Sequence, residues 1–159
     1  MVLNTLPNGF SRFGNHYAHL WHEALNSADA ALRREWHAEG IRSTHFPTQP
    51  SRLACLFGAN SVAEAADFAK SIEPRPSADV PLFEIHASSF SSHDVNWLDY
   101  EHGGDHSKIV DYMKRYWLRE ISNSCPAVGE RRAPRIEVKI GLPCTVGRLV
   151  DWVRFGDEP

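Results

Sequence analysis

The sequence predicts an α+β domain with a small mixed β-sheet core and flanking helices. Helical patterns and short strand-like runs alternate in the order helix, strand, helix, strand, helix, strand, strand. The last two strands are one tight turn apart, which favours an antiparallel pair. The helix between the first two strands is compatible with a parallel crossover, so the predicted sheet is mixed.

Length and composition place the chain in one folded domain. A chain of 159 residues is long enough to close a core. Its 42% hydrophobic and 23% charged residues exclude the disordered class. We divide it into an N-terminal lead and helix (1–40), a core (41–150) and a tail (151–159). The net charge of −3 argues against a broad basic surface for nucleic acid.

Targeting and cysteine patterns predict a reducing cytoplasm as the location. The N-terminus lacks the basic and apolar regions of a signal peptide, and no apolar run approaches the roughly 20 residues of a membrane helix. The cysteines, Cys55, Cys125 and Cys144, are odd in number and form no CxxC pair, which indicates neither a zinc ribbon nor a disulfide scaffold. Delivery as a secreted effector by a specialised system would leave no such signal.

The first third of the chain supplies one predicted helix and one strand. Residues 1–24 fit either a short strand or the lead into a helix. Residues 27–39 show spacings of three and four that predict a helix, and Gly40 is placed to end it. After a loop with two prolines, the apolar run 52–58 predicts a buried strand.

The middle of the chain predicts a capped helix, a strand and a loop. Ser61 followed by Glu64 is a capping-box signature. The helix after it has an apolar face that we expect to be buried. That face comprises Ala65, Phe68, Ala69 and Ile72. Residues 82–87 alternate in polarity and predict a strand, whereas 88–106 predict a polar loop.

The C-terminal part predicts a helix over 107–118, an irregular loop over 119–134 and two strands over 135–140 and 145–150. The first of these strands alternates strictly, so its apolar and charged residues face opposite sides. The apolar side carries Ile136, Val138 and Ile140, and the charged side carries Arg135, Glu137 and Lys139.

Glu137 is the strongest candidate for chemistry. It is an acid on the polar side of an otherwise apolar strand, between two basic residues. One interpretation is a solvated strand face with alternating charges. The other places this face in a cleft, where the carboxylate hydrogen-bonds a ribose hydroxyl and stabilises a sugar cation. The sequence leaves both interpretations open.

A few other residues could bind a ligand beside Glu137. Arg52, preceded by Ser51 at the start of the first predicted strand, could grip a phosphate or carboxylate with two hydrogen bonds. Phe57 and the pair Tyr116-Trp117 could form a stacking wall for a flat ring. Each also fits an ordinary role, as a surface arginine beside a turn or as aromatic core.

The nine histidines raise the question of a metal site. One group recurs every three residues, and a second group of histidines and aspartates lies between 99 and 106. These residues are His16, His19 and His22, then Asp99, His102, Asp105 and His106. The chain lacks the HExxH motif, so we expect no metal. The alternative is a metal-dependent hydrolase that uses residues 99–106. It also lacks the Walker, GxGxxG and GxSxG motifs, which argues against ATP-driven, Rossmann and α/β-hydrolase chemistry.

Several segments, taken in order, resemble a known superfamily. Residues 46–59 lead into the capped, Ala-rich helix, residues 82–85 follow, and Tyr116-Trp117 precede Ile136-Glu137-Val138 and a closing strand. In order and spacing, residues 40–150 resemble a group of uncharacterised bacterial domains of the ADP-ribosyltransferase-like superfamily. In such proteins a strand with a Ser or aromatic motif precedes a helix of the A-x-x-F-A type, and a late strand carries a glutamate.

The resemblance implies that NAD is a substrate and that Glu137 is the catalytic acid. Ser51 and Arg52 would line the NAD site, and Phe57 would lie near the nicotinamide. The superfamily places an Arg or His on its first strand, which implies that role for His16 or His19, with Tyr17 adjacent. The cofactor-binding set that follows is His16, Tyr17, His19, Ser51, Arg52, Phe57, Tyr116 and Trp117.

The implied reaction is glycosyl transfer without a metal. The nicotinamide–ribose bond is cleaved, and ADP-ribose passes to an acceptor, which is a protein, a nucleic acid or a small molecule. Two alternatives stay open beside this transferase. A non-catalytic module of the same fold would bind a nucleotide or a protein, and a toxin or effector would share the chemistry but act on a different target.

Overall fold

The computed structural model describes residues 1–72, 74–100, 102–122 and 133–155. Over these ranges the chain is α+β, as predicted, with five α-helices and two antiparallel three-stranded sheets. The helices are α1 (Arg12–Ala18), α2 (Ala30–His45), α3 (Val62–Lys70), α4 (Asn96–Asp99) and α5 (His106–Trp117). The strands are β1 (Val2–Leu3), β2 (Cys55–Gly58), β3 (Val80–Ala87), β4 (Phe90–Asp94), β5 (Ile136–Gly141) and β6 (Cys144–Val153). None of the helices described is both long and apolar enough to cross a membrane.

The two sheets have the orders β1-β6-β3 and β2-β5-β4. Every strand pairing is antiparallel, so the predicted parallel crossover and mixed sheet are wrong. The predicted pairing of the last two strands is also wrong, because β5 and β6 belong to different sheets. The chain changes sheet at two corners that touch: the Gly141 N–H donates to the Ser89 carbonyl at 2.9 Å. A Cβ at position 141 would lie 2.2 Å from the Ser89 hydroxyl, so a glycine lets the corners meet.

Several predicted boundaries differ from the structure. Helix α2 continues through Gly40 to His45, because Gly40 keeps a helical backbone and the Phe46 N–H still donates to the Arg42 carbonyl. The predicted polar loop 88–106 contains β4 and α4. The apolar pattern missed β4 because its polar side chains are buried and paired with each other and with α5. The irregular loop predicted over 119–134 lies mostly outside the described residues, as does Cys125.

The capped helix α3 packs less tightly than its pattern predicts. Ser61 accepts a hydrogen bond from the Glu64 N–H at 3.2 Å, as expected for an N-cap. Of the predicted inward face, however, Ala69 is buried, while Phe68 is 58% exposed. Both residues line a groove of about 1270 Å³ that is bordered by α3 and by strands of both sheets.

The two faces of the β2-β5-β4 sheet have opposite surroundings. The apolar face of β5, with Val138 and Ile140, lines the groove. The charged face lies against the helices: Lys139 is 1% exposed, and its ammonium lies 4.0 Å from the centre of the Trp117 ring on α5. The interpretation of a solvated strand face is therefore wrong. The helices α2, α4 and α5 also form the main apolar core, around Trp97, Met113 and Trp117.

Candidate functional site

The site begins with a 310 turn, Arg52–Ala54, immediately before β2. The Ser51 hydroxyl caps this turn by accepting from the Leu53 N–H at 3.0 Å. Helix α1 holds the turn from outside, because the Ser11 N–H donates to the Leu53 carbonyl at 2.8 Å. The turn directs the Arg52 side chain inward, where only 4% of it is exposed.

Arg52 forms the centre of an ion-pair cluster. Its Nε and Nη2 donate to the two carboxylate oxygens of Glu35 on α2, at 2.8 and 3.1 Å. Its Nη1 donates to the Tyr116 hydroxyl at 2.6 Å and to the Glu137 carboxylate. Burial alone would lower the pKa of the guanidinium, but the Glu137 and Glu35 carboxylates outweigh it and raise that pKa well above its ordinary value. Arg52 is therefore a permanent cation with two acidic partners.

Glu137 is held through one of its oxygens. Oε1 accepts from Arg52 and from the Tyr116 hydroxyl, the latter at 2.5 Å. Burial raises the pKa of Tyr116 well above its ordinary value; the Glu137 carboxylate also raises it, whereas the Arg52 guanidinium lowers it. The phenol therefore keeps its proton and donates a hydrogen bond to Glu137. Within the described part of the chain, no residue donates to Oε2 of Glu137. The Glu137 side chain is 14% exposed, and neither Arg52 nor Tyr116 bonds to this second oxygen.

A second layer of polar groups lies under the cluster on the same sheet face. His93 is opposite Glu137 in the β4–β5 register. Burial, joined by the Lys139 ammonium, lowers the pKa of His93 to about 3, so this imidazole is neutral. Burial also lowers the pKa of Lys139 to about 8, and its ammonium donates to the Pro50 carbonyl at 3.2 Å. These groups support the site from beneath.

Three aromatic side chains border the cluster where it approaches the surface. The Arg52 guanidinium lies 4.7 Å from the centre of the Phe57 ring. Phe13 contacts Phe57 and Tyr17 edge to face, at centroid distances of 4.9 and 5.1 Å. All three rings are partly exposed, so they form an aromatic wall that a flat ligand could contact.

The remaining predicted binding residues lie apart from this opening or are occupied. Trp117 is fully buried, and its indole N–H donates to the Ala38 carbonyl at 2.9 Å, which makes it core. The Ser51 hydroxyl donates to Glu39 at 2.8 Å. His16 and His19 are exposed on α1 and at its C-terminal cap, so neither fills the position on a first strand that the resemblance implied.

Sequence reasoning missed Glu35 as a member of the site. The helical pattern of residues 27–39 places Glu35 on the same, inward-facing side of the helix as Leu32, and that position was the signal in the sequence. An acid on such a stripe must find a buried partner, because an unpaired buried charge is costly. A partner on another element cannot be read from local spacing, so Arg52 was not linked to it.

The two aspartates of the 99–106 segment, Asp99 and Asp105, have structural partners. Asp99 accepts from Arg34 at 2.7 Å and from Arg135 at 2.8 Å. Asp105 caps α5 by accepting from the Ser107 N–H at 2.9 Å. Across the described ranges, no group of three or more His, Cys, Asp or Glu side chains could hold a metal ion.

A protein-family model matches most of the chain. The family model described as "Protein of unknown function (DUF2441)" matches residues 8–130, and the chain belongs to this family. The matched stretch includes Glu35, Arg52 and Tyr116 and ends before Glu137. No curated protein matches the chain.

Proposed function

We propose that this member of the DUF2441 family binds NAD and cleaves its nicotinamide–ribose bond, as its resemblance to the ADP-ribosyltransferase-like superfamily implies. ADP-ribose then passes to an acceptor, which is a protein, a nucleic acid or a small molecule. The observation that carries the proposal is the Glu137 carboxylate. Arg52 and Tyr116 fix one of its oxygens, the other has no donor among the described residues, and the side chain is 14% exposed.

This carboxylate suits a reaction that develops positive charge on a sugar. When the bond between the ribose C1′ and the nicotinamide nitrogen breaks, its electron pair leaves with nicotinamide and the ribosyl ring becomes cationic. The acceptor then donates a lone pair to C1′ and loses its proton. A fixed negative group beside the ring stabilises that cation without reorganising during the reaction.

Arg52 is shared between two carboxylates. It is paired with Glu35 as well as with Glu137, so its single positive charge does not neutralise Glu137 alone. The Lys139 ammonium on the same sheet face bonds to the Pro50 carbonyl and lies over Trp117. The aromatic wall of Phe13, Tyr17 and Phe57 offers stacking surface for a flat ring beside this acid.

The second candidate is a non-catalytic nucleotide- or protein-binding module. The burial of Arg52 favours it, because the guanidinium can reach a phosphate only by breaking its bonds to Glu35, Tyr116 and Glu137. In that case the cluster stabilises the fold, and a ligand binds without reacting.

The test compares the wild-type protein with Glu137→Gln, which keeps the shape of the side chain and removes its charge. A thermal-shift titration measures NAD binding, and a second assay measures released nicotinamide. We expect NAD to stabilise both proteins and nicotinamide release to fall by about a hundredfold or more in the variant. Glu84→Gln, which changes a half-exposed acid on β3, is the matched control and should retain full activity.

Any of three outcomes would overturn the transferase proposal. Equal release from the wild type and Glu137→Gln would remove Glu137 from the chemistry. NAD binding without release from the wild type would establish the second candidate. Neither binding nor release at millimolar NAD would exclude NAD as the ligand.

A further inference from the structure

We infer that Glu35 is a positioning residue, which holds Arg52 so that one oxygen of Glu137 stays free for a ligand. The catalytic consequence rests on the proposed function, whereas the effect on Glu137 itself does not. Glu35 touches neither Glu137 nor the exposed opening, and it acts through Arg52.

The geometry of Arg52 carries this inference. Glu35 is 1% exposed on α2, and its carboxylate occupies both Nε and Nη2 of Arg52. Nη1 bonds Glu137, which shares that nitrogen with the Tyr116 hydroxyl. The planar guanidinium can bond a carboxylate with two parallel hydrogen bonds when two of its nitrogens face it. Glu35 holds the edge formed by Nε and Nη2 and so fixes the orientation of the guanidinium, in which Glu137 receives one bond from Arg52.

A chain of ion pairs fixes Glu35 in turn. Arg34, the preceding residue on α2, lies 3.4 Å from the Glu35 carboxylate and donates to Asp99 on α4. Asp99 also accepts from Arg135, the residue immediately before β5. The pairs therefore connect Arg135, just before β5, with Glu137 within β5, by way of α4, α2 and the 310 turn. Such a network holds α2 and the start of β5 in a defined relation.

Loss of the Glu35 charge would change the partner of the Arg52 guanidinium. In Glu35→Gln the neutral amide can accept at most one of the two former bonds, and Arg52 has Glu137 as its remaining anionic partner. The Arg52 guanidinium then turns toward Glu137 and bonds both of its carboxylate oxygens. The consequence is a Glu137 carboxylate with no free oxygen, and the proposed chemistry loses its anion.

Chemical labelling of carboxylates measures this directly. Carbodiimide-coupled glycinamide modifies reachable carboxylates, and mass spectrometry quantifies the modified Glu137, normalised to the half-exposed Glu84. We expect labelling of Glu137 to fall at least about twofold in Glu35→Gln. Glu39→Gln is the matched control: Glu39 lies one turn along α2, bonds to Arg42 and to Ser51, and has no contact with Arg52. Its replacement should leave Glu137 labelling unchanged.

The direction of the change separates positioning from ordinary structural support. A Glu35 that only stabilised the fold would loosen the site when replaced, and labelling of Glu137 would rise. Unchanged or increased labelling in Glu35→Gln overturns the inference. If Glu35→Gln does not fold, Glu35→Asp keeps the charge but shortens the side chain, and labelling should then fall by a smaller factor; unchanged labelling there overturns the inference equally.

Nicotinamide release gives the second readout. We expect Glu35→Gln to lower kcat about tenfold with little change in KM for NAD, and Glu35→Asp to restore part of it. A fall in labelling without any nicotinamide release from the wild type would overturn the proposed function and leave the positioning role intact. Release that is unaffected while labelling falls would overturn the catalytic consequence of positioning.

Discussion

His93 on β4 stacks on the ring of Tyr116 on α5, with a centroid distance of 4.7 Å and an angle of 27° between the planes. Its Nδ1 also hydrogen-bonds the Tyr116 carbonyl at 2.9 Å, and its Nε2 bonds the Ser91 hydroxyl at the same distance. Both ring nitrogens are thus occupied in a fully buried position. This contact fixes the tyrosine that donates to Glu137, and it makes the site sensitive to acid.

We predict that His93 makes the fold unstable in acid. Above pH 6.5 the imidazole is neutral in the folded and in the unfolded chain. As the pH falls from 6.5 toward about 3, the unfolded chain binds a proton that the folded chain does not, so the free energy of unfolding decreases. The loss over that whole window is on the order of 5 kcal/mol.

Urea unfolding between pH 4 and 7 checks this prediction with His93→Gln. The variant should be less stable at pH 7 because it loses the stacking contact, yet its stability should fall less steeply toward pH 4. Exposed carboxylates contribute equally to both proteins, so the difference in slope isolates His93. Identical slopes would contradict the assignment.

Lys139 gives a prediction of the same kind at alkaline pH. Below about pH 8 the ammonium is charged in both states, and its burial costs stability. Between pH 8 and 10.5 the folded chain has released the proton while the unfolded chain still binds it, so the free energy of unfolding rises with pH. The gain over this window is about 3 kcal/mol.

The variant Lys139→Met tests this effect. It should remove the pH-dependent rise between pH 8 and 10, and at pH 7 it should be at least as stable as the wild type, because methionine fills the space without a buried charge. The measurement is the midpoint of urea unfolding at a series of pH values. A variant that keeps the full rise would show that another group titrates there.

The sequence predicted the elements better than their arrangement. The helix over 107–118 and the strand over 135–140 agree closely with α5 and β5, because strong periodicity reflects local packing. The strand run 52–58 was correct only from Cys55, since Arg52 begins a 310 turn. The pairing of strands was not predictable, because the corners at 88–89 and 142–143 depend on a contact between distant segments.

The candidate site was predictable only in part, for a related reason. Glu137 and Arg52 were both singled out, but nothing in the local pattern paired them, since 85 residues separate the two. Glu35 and His93 were missed because buried polar groups mimic surface residues in any hydrophobicity pattern. Their partners distinguish them, and those partners come from other elements.

Substitutions at two glycines, one on α1 and one on α2, test the packing of α1 against the 310 turn. A Cβ at Gly14 on α1 would lie 1.9 Å from the Leu53 carbonyl oxygen, so Gly14→Ala must push α1 off the turn that carries Arg52. A Cβ at Gly40 on α2 meets no atom within 4 Å. Gly14→Ala should therefore lose at least about 2 kcal/mol of stability. Gly40→Ala should gain up to about 1 kcal/mol, because alanine is the better helix former.

Thermal unfolding of the two variants decides this prediction. A lower midpoint for Gly14→Ala together with a higher one for Gly40→Ala is the expected result. If Gly14→Ala were as stable as the wild type, α1 would not be seated on Leu53 as described. If Gly40→Ala were destabilised, α2 would end at Gly40, as the sequence pattern alone suggested.

Asp94, the buried acid at the end of β4, fixes the start of β5. Its Oδ1 accepts from the N–H groups of Asn96 and Arg135, at 3.1 and 3.0 Å. Its Oδ2 accepts from the N–H and the hydroxyl of Ser122, at 2.8 and 2.6 Å. All four partners are donors, so a carboxylate satisfies them and an amide cannot.

Asp94→Asn places an NH₂ group against two of those donors, and buried donors without an acceptor are costly. We expect a loss of about 3 kcal/mol of stability, measured by urea unfolding at pH 7. Ser122→Ala is the control: it removes a hydroxyl that donates to Asp94 and accepts from the Asn96 amide, and it should cost about 1 kcal/mol. Because Arg135 precedes β5, Asp94→Asn should also alter labelling of Glu137, whereas Ser122→Ala should not. Equal costs for the two variants would show that Asp94 does not bind all four donors.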